Sequence, residues 1–171
     1  ERMLSRSMTT GVVADAVFTD ALLTTDEVVS VRLYTGPAYQ PINEWLRSVG
    51  LMGSAVERRQ AALDRGSSYG ATVKHIIAAI RKLAAVRTPK ENDVRLFRGL
   101  RGVLPLHFWK PDAQGLVCAT DTAFMSSSTA EATPIRYMDG QGKPNVLWDL
   151  HARDVDDAGY HCGAEVAMLS Q

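Results

Sequence analysis

The chain has 171 residues, a length typical of one domain that buries a sizeable apolar core. Hydrophobic residues make up 46% and charged residues 22%, as in an ordinary globular domain. Nineteen Lys and Arg balance nineteen Asp and Glu, which argues against nucleic acid or an anionic membrane as the main partner. No apolar run approaches the roughly 20 residues of a membrane helix, so we predict no membrane span.

Neither the cysteines nor the first residue identifies the cellular compartment of the protein. Cys118 and Cys162 are far apart in the sequence and lack zinc-ligand spacing, so we predict no metal site. We predict that both cysteines are small buried apolar residues, although a single disulfide between them is also possible. The chain begins at Glu1 rather than at a methionine, which indicates a fragment or a processed product. The localisation stays open.

The first part of the chain contains helical patterns and one β-like segment. Residues 9–21 are mixed and could form a short helix, whereas residues 28–34 are rich in β-branched side chains and are predicted to be a strand or an extended segment. Gly36 and Pro37 then predict a turn. Apolar residues recur after it at helical spacing, with Gly50 placed to end the helix: Ile42, Trp45, Leu46 and Val49.

The clearest helix is predicted over residues 68–86. Its apolar residues form one stripe, broad enough to pack on a sheet: Val73, Ile76, Ile77, Ile80, Leu83 and Ala84. Pro89 prevents the helix from continuing further.

The second half of the chain is predicted to be β-structure. Residues 94–98 alternate apolar and basic side chains, which is typical of a half-buried strand. Four further short segments with turns between them are strand candidates: 116–119, 123–126, 146–150 and 164–169. We therefore predict one α+β domain, in which a helical part (about 1–90) packs on a two-sheet β core (about 91–171).

Three short motifs could carry chemistry: Phe-Arg-Gly at 97–99, Phe-Met-Ser-Ser-Ser at 124–128, and Gly-Ala-Glu-Val at 163–166. Singly they are weak, because an Arg-Gly pair is usually a solvated cation beside a turn and a serine run is usually a polar strand end or a helix N-cap. Their position at the ends of apolar strand-like segments strengthens them, since strand ends present polar groups to ligands on a rigid scaffold.

With these motifs in this order, the sequence resembles the arginine-type mono-ADP-ribosyltransferase family. The family's first motif is an aromatic-Arg-Gly, matched at 97–99, and its second is Phe-x-Ser-Thr-Ser, matched at 124–128 with Ser127 in place of Thr. Upstream, residues 34–37 and the pairs 42–43 and 46–47 look like the start of a helix in protist and animal members. The resemblance spans about residues 30 to 171 and implies an ADP-ribosyltransferase-like fold.

The resemblance implies an enzyme that transfers ADP-ribose from NAD to arginine or a similar protein side chain, without a metal. Arg98 would bind the diphosphate as a multidentate cation, and Gly99 would let its backbone meet the nicotinamide amide without a Cβ in the way. Ser126 would orient the ribose and the catalytic carboxylate, while Ser127 and Ser128 would shape the strand end. Binding NAD in a strained form would favour the transition state.

The family's third motif, Glu-x-Glu or Gln-x-Glu, allows two alignments of the tail. In the first, Glu165 is the catalytic residue and Gly163 replaces the residue that selects the target side chain. In the second, which we favour, residues 163–171 are the strand before the motif, Glu165 points outward, and the motif lies beyond Gln171. The C-terminal part of the domain would then be missing.

Two other functions stay open. One is an NAD glycohydrolase that uses water as the acceptor, which the first alignment favours because Gly163 has no selecting side chain. The other is a catalytically inactive domain kept as a scaffold or as an interaction subunit. The partners are accordingly NAD and either a protein side-chain acceptor or a protein complex.

Overall fold

The computed structural model describes residues 20–49, 57, 68–86, 94–117, 121–138, 142, 144–151 and 163–170. The chain divides into two compact units, which we call unit 1 (Glu1–Pro89 with Ala158–Gln171) and unit 2 (Lys90–Asp157). The described part of unit 1 is helical and that of unit 2 holds an antiparallel sheet of two strands, so the α+β class is confirmed. One domain with two sheets stays a prediction.

The first helix, α1 (Thr25–Thr35), corrects the predicted strand over residues 28–34. Thr24 and Glu27 form a reciprocal capping box, in which the backbone N–H of each residue donates to the side chain of the other. This box fixes the start of the helix. The β-branched preference of Val28 and Val31 is weak by comparison, and both side chains are buried on one side of the helix.

The second helix, α2 (Tyr39–Val49), confirms the helical pattern that follows the predicted turn at residues 36–38. It is joined to α1 by a buried hydrogen bond, in which Asn43 Nδ2 donates to Tyr34 Oη over 3.2 Å. Ile42 is fully buried. Gly50 and most of the predicted 9–21 helix lie outside the described residues, although Asp20 and Ala21 are helical.

The third helix, α3 (Gly70–Ala85), is confirmed with slightly narrower bounds than predicted. Its buried face differs from the predicted stripe, because Ala79 is buried, Ile77 is 44% exposed, and Ile80 and Ala84 are only partly buried. In the described part of unit 1 this face packs on α1, so a helix takes the place of the predicted sheet. The shared core consists of six residues: Ala21, Val28, Val31, Ala79, Leu83 and Leu169. Pro89 lies outside the described residues.

The tail of unit 1 is not the strand that was predicted over residues 164–169. The backbone is irregular until a short 3-10 helix at Ala167–Leu169, and Leu169 is fully buried in the core of unit 1. Three alternating apolar residues pack against the same core: Ala164, Val166 and Met168. The apolar residues of this segment are therefore buried on the α1–α3 pair and are not paired in a sheet.

The sheet of unit 2 confirms two predicted strands, but the first continues to Arg101, so the Phe-Arg-Gly motif at 97–99 lies within the strand and not at its end as predicted. β1 (Arg95–Arg101) pairs with β2 (Asn145–His151) in antiparallel register, with Arg98 opposite Trp148. A short 3-10 helix (Leu106–Trp109) follows β1, and the helix α4 (Ala132–Tyr137) contacts β1.

Two other predicted strands of unit 2 are wrong where the structure describes them. Residues 123–126 form no ladder, and only Ser128 makes a single bridge to Phe97. Leu116 and Val117 are exposed. They end a loop that begins at Asp112, whose Oδ1 accepts a hydrogen bond from the backbone N–H of Leu116. The described residues of unit 2 do not bury these apolar side chains. Cys118, Ala119 and Cys162 lie outside the described residues.

Candidate functional site

The two-stranded sheet presents two faces with different chemistry. Residues directly opposite each other in an antiparallel pair share a face, so Arg98 and Trp148 lie on one face, which we call the arginine face. Alternation along β1 places Gly99 on the other face, which we call the helix face because α4 packs there. The candidate site is on the arginine face and at the adjoining edge of β1.

Arg98 links the first two sequence motifs. Its Nη1 donates to the carbonyl oxygen of Ser126 over 2.8 Å, and its Nη2 lies 3.9 Å from Oδ2 of Asp121. The side chain is only 14% exposed, so the guanidinium is held in place and shielded from bulk water. The structure thus brings together Arg98 and Ser126, to which the resemblance assigns roles in one NAD site.

The serine segment lies along the free edge of β1. Phe97 and Ser128 exchange two backbone hydrogen bonds, from Phe97 N to Ser128 O (2.7 Å) and from Ser128 N to Phe97 O (2.9 Å). The Ser128 hydroxyl also accepts from the backbone N–H of Ala130, which shapes the turn that leads to α4. Ser126 and Ser127 are exposed. The segment therefore presents two serines to solvent beside Arg98.

Gly99 has a structural reason to be a glycine. A Cβ at this position would lie 2.8 Å from Cε of Met138 and 3.0 Å from the carbonyl oxygen of Pro134, so α4 can approach β1 only because no Cβ is present. The backbone N–H and C=O of Gly99 do not point toward α4 but lie in the plane of the sheet. In an antiparallel ladder the N–H and C=O of alternate residues point to the same side, so those of Gly99 point to the edge where Phe97 binds Ser128. The predicted contact of Gly99 with nicotinamide would use this edge.

Trp148, opposite Arg98, belongs to a group of three aromatic residues that was not predicted as part of the site and that we call the aromatic cluster. The Phe108 ring is nearly parallel to the Trp148 ring (25°, centroids 6.3 Å apart) and meets the Trp109 ring edge to face at 5.0 Å. Trp148 lies opposite Arg98 because of the register of β1 and β2, and this register cannot be predicted from the sequence.

Asp121 is a further site residue that sequence reasoning missed. Its carboxylate is 28% exposed and lies beside the Arg98 guanidinium, although no motif includes it. It comes from an irregular segment, for which the sequence carries no periodic signal. Asp121 is therefore a negative charge within ion-pair distance of Arg98.

A second charged group lies on the helix face and is exposed. Arg95 and Asp149 form an ion pair, and the hydrogen bond from Arg95 is the main reason why the pKa of Asp149 is below its ordinary value and that of Arg95 is raised. Arg95 also lies over the Phe97 ring, with Cζ 5.4 Å from its centroid. His151 Nε2 lies 3.7 Å from Asp149 Oδ1. Because Arg95 shares a strand with Arg98 but lies on the other face, it is a natural control for Arg98.

Glu165 lies in the described tail of unit 1 and is exposed, whereas Arg98 and the serine segment belong to unit 2. Gly163 is exposed too, with open space where a Cβ would lie. The second alignment takes the tail as a strand, which its described residues do not form. A catalytic role for Glu165, and the choice between the two alignments by sequence, stay predictions.

The described residues contain no group of three or more His, Cys, Asp and Glu side chains arranged to hold a metal ion. Among the helices that the structure describes, none has the length and apolar character needed to span a membrane. No protein-family model, no curated protein and no solved structure matches this chain.

Proposed function

We propose that unit 2 binds the diphosphate of NAD at Arg98, and that the chain is an ADP-ribosyltransferase-like domain with the corresponding fold. The observation that carries the proposal is the 2.8 Å hydrogen bond from Arg98 to the Ser126 carbonyl, which brings together the two motifs on which the family resemblance rests. The acceptor of ADP-ribose would be arginine or a similar side chain.

The chemistry requires a cation for the diphosphate and a polar edge for the nicotinamide. A guanidinium offers several donors in a plane, and these match the oxygen atoms of a phosphate. Arg98 is preorganised for this task because Ser126 holds one of its nitrogen atoms. Binding energy at the diphosphate could then be used to strain the bond between nicotinamide and ribose, which favours its cleavage.

Calorimetry with NAD tests the binding step. We expect Arg98→Ala to lower the affinity for NAD by more than tenfold, because the diphosphate would lose its charged donor. Arg95→Ala is the matched control, since Arg95 is on the same strand but on the helix face and pairs with Asp149. Equal affinities of the wild type and Arg98→Ala would contradict the assignment of the site.

Nicotinamide release tests the reaction. Release that increases when agmatine is added, with formation of ADP-ribosyl-agmatine, indicates transfer, whereas release that agmatine does not change indicates a glycohydrolase. Under the favoured alignment of the tail, Glu165→Gln leaves any turnover nearly unchanged. A loss of several orders of magnitude would instead make Glu165 the catalytic carboxylate.

A second candidate function is NAD binding without transfer. The observation that favours it is the position of Asp121, whose carboxylate lies 3.9 Å from the Arg98 guanidinium. A carboxylate in that position is not free to stabilise a ribosyl cation. Calorimetric binding of NAD without nicotinamide release, with or without agmatine, would support this candidate over the transferase.

A further inference from the structure

Arg98 and Trp148 form a cross-strand pair on the arginine face. The Cβ atoms of such directly opposite residues lie about 5 Å apart, so a guanidinium and an indole are available to one ligand. In a nucleotide, a phosphate and a planar base are likewise joined through a single ribose. The pair therefore has the two chemical groups that a nucleotide requires, side by side on a rigid ladder.

The indole of Trp148 is supported from a second element. Phe108, in the 3-10 helix after β1, lies nearly parallel to Trp148, and its neighbour Trp109 is 58% exposed. Neither Phe108 nor Trp148 is fully buried. The aromatic cluster is thus partly accessible, and its member Trp148 shares a face of the sheet with Arg98.

We propose that Trp148, supported by Phe108, stacks against the base of the nucleotide whose phosphate Arg98 binds. This inference rests on the proposed function and extends it to a base-binding subsite. Stacking of a base on an aromatic side chain is largely independent of base identity, so both the adenine and the nicotinamide of NAD have the required chemistry. The experiment distinguishes them with ADP and nicotinamide mononucleotide.

A single-tryptophan protein gives a direct test. The chain has three tryptophans, so the double variant Trp45→Phe/Trp109→Phe leaves Trp148 as the only indole and keeps an aromatic ring at position 109. We expect NAD to quench the fluorescence of Trp148, and either ADP or nicotinamide mononucleotide to do the same. Pyrophosphate should compete with NAD without quenching, because it has no base. NAD binding measured by calorimetry without any change in Trp148 fluorescence would overturn the inference.

Affinity measurements give a second, independent readout. We expect Trp148→Leu to weaken NAD binding about 10- to 100-fold, Trp148→Phe to restore most of it, and neither change to alter pyrophosphate binding. Trp45→Phe, in unit 1, is the matched control. If Trp148→Leu does not fold, as judged by lost pyrophosphate binding, the fluorescence result decides.

The two proposals fail in different ways. Absence of NAD binding to the wild-type chain would overturn the proposed function and the base subsite together. NAD binding that depends on Arg98 but is equal in the wild type and Trp148→Leu would overturn the base subsite alone.

Discussion

Gly99 and Met138 are packed so closely that a Cβ on Gly99 would lie 2.8 Å from Cε and 3.1 Å from Cγ of Met138. The carbonyl oxygen of Pro134 would be 3.0 Å away, and this backbone atom cannot move without a shift of α4. The helix and the strand that carries Arg98 are therefore held together at a position where only glycine fits. This packing ties the conformation of the site to α4.

We expect Gly99→Ala to lower the free energy of unfolding by about 1–3 kcal/mol, because α4 must move away from β1 to admit the methyl group. Urea denaturation followed by circular dichroism measures the change. Gly163→Ala is the matched control, since open space surrounds that position, and it should change the stability by less than about 0.5 kcal/mol.

A double-mutant cycle sharpens this test. Met138→Ala removes two of the three close contacts, so part of the cost of Gly99→Ala should disappear in the Met138→Ala background. Strictly additive effects of the two substitutions would show that the contact with Met138 is not the cause.

The elements that could be predicted from the sequence are those with a strong period. The helices at 39–49 and 70–85 and the strands at 95–101 and 145–151 each follow a clear apolar repeat. Helix α1 was missed although its start signal was present: Thr24 and Glu27 have the spacing of a capping box. This local signal outweighs the weak strand preference of the β-branched residues at 28–34.

The predicted and the missed parts of the site differ in their physical origin. Arg98 and Ser126 belong to short motifs, and the structure brings them together. Trp148 depends on strand register and Asp121 on an irregular loop, both of which are set by long-range packing. The tail at 163–170 shows the same limit, because its apolar residues indicate burial but do not identify what covers them.

We expect Asp121→Asn to increase the affinity for NAD about two- to fivefold. At the proposed site, the Asp121 carboxylate would compete with the diphosphate for Arg98 and would repel it, but Arg98 and Asp121 are partly solvated, so we expect a modest effect. Calorimetry at low and at high salt measures it, and the gain should shrink as salt increases. Asp149→Asn, on the helix face, is the control and should leave the affinity unchanged. Unchanged affinity with lost nicotinamide release would instead identify Asp121 as a catalytic carboxylate.

We expect Leu169→Ala to destabilise unit 1 by about 2–5 kcal/mol, because it leaves a cavity in a fully buried position between the tail and the α1–α3 pair. Thermal or urea denaturation measures the loss. The exposed neighbour Glu165 supplies the control, since Glu165→Gln should change stability by less than about 0.5 kcal/mol. A similarly small effect of Leu169→Ala would mean that the tail does not contribute to the core.

The capping box of α1 predicts a specific dependence of stability on pH. Burial raises the pKa of Glu27, but the hydrogen bonds from Lys82 Nζ (2.9 Å) and Thr24 N (2.8 Å) outweigh burial, so this pKa lies below its ordinary value of 4.5. A carboxyl group whose pKa is lower in the folded state binds its proton more tightly when unfolded. Its contribution is therefore complete above pH 4.5 and is lost as the pH falls through the folded-state pKa.

We expect Glu27→Gln to lower the free energy of unfolding at pH 7 by about 1–2 kcal/mol, a value reduced for the partial exposure of Lys82. The amide of the variant still accepts a hydrogen bond from the backbone N–H of Thr24, but it has no negative charge to pair with Lys82. At pH 3 the difference between the variant and the wild type should become smaller. Glu44→Gln, on the exposed side of α2, is the control and should show neither effect. A deficit of Glu27→Gln that is the same at both pH values would mean that Glu27 stabilises the helix start through its neutral hydrogen bonds and not through its charge.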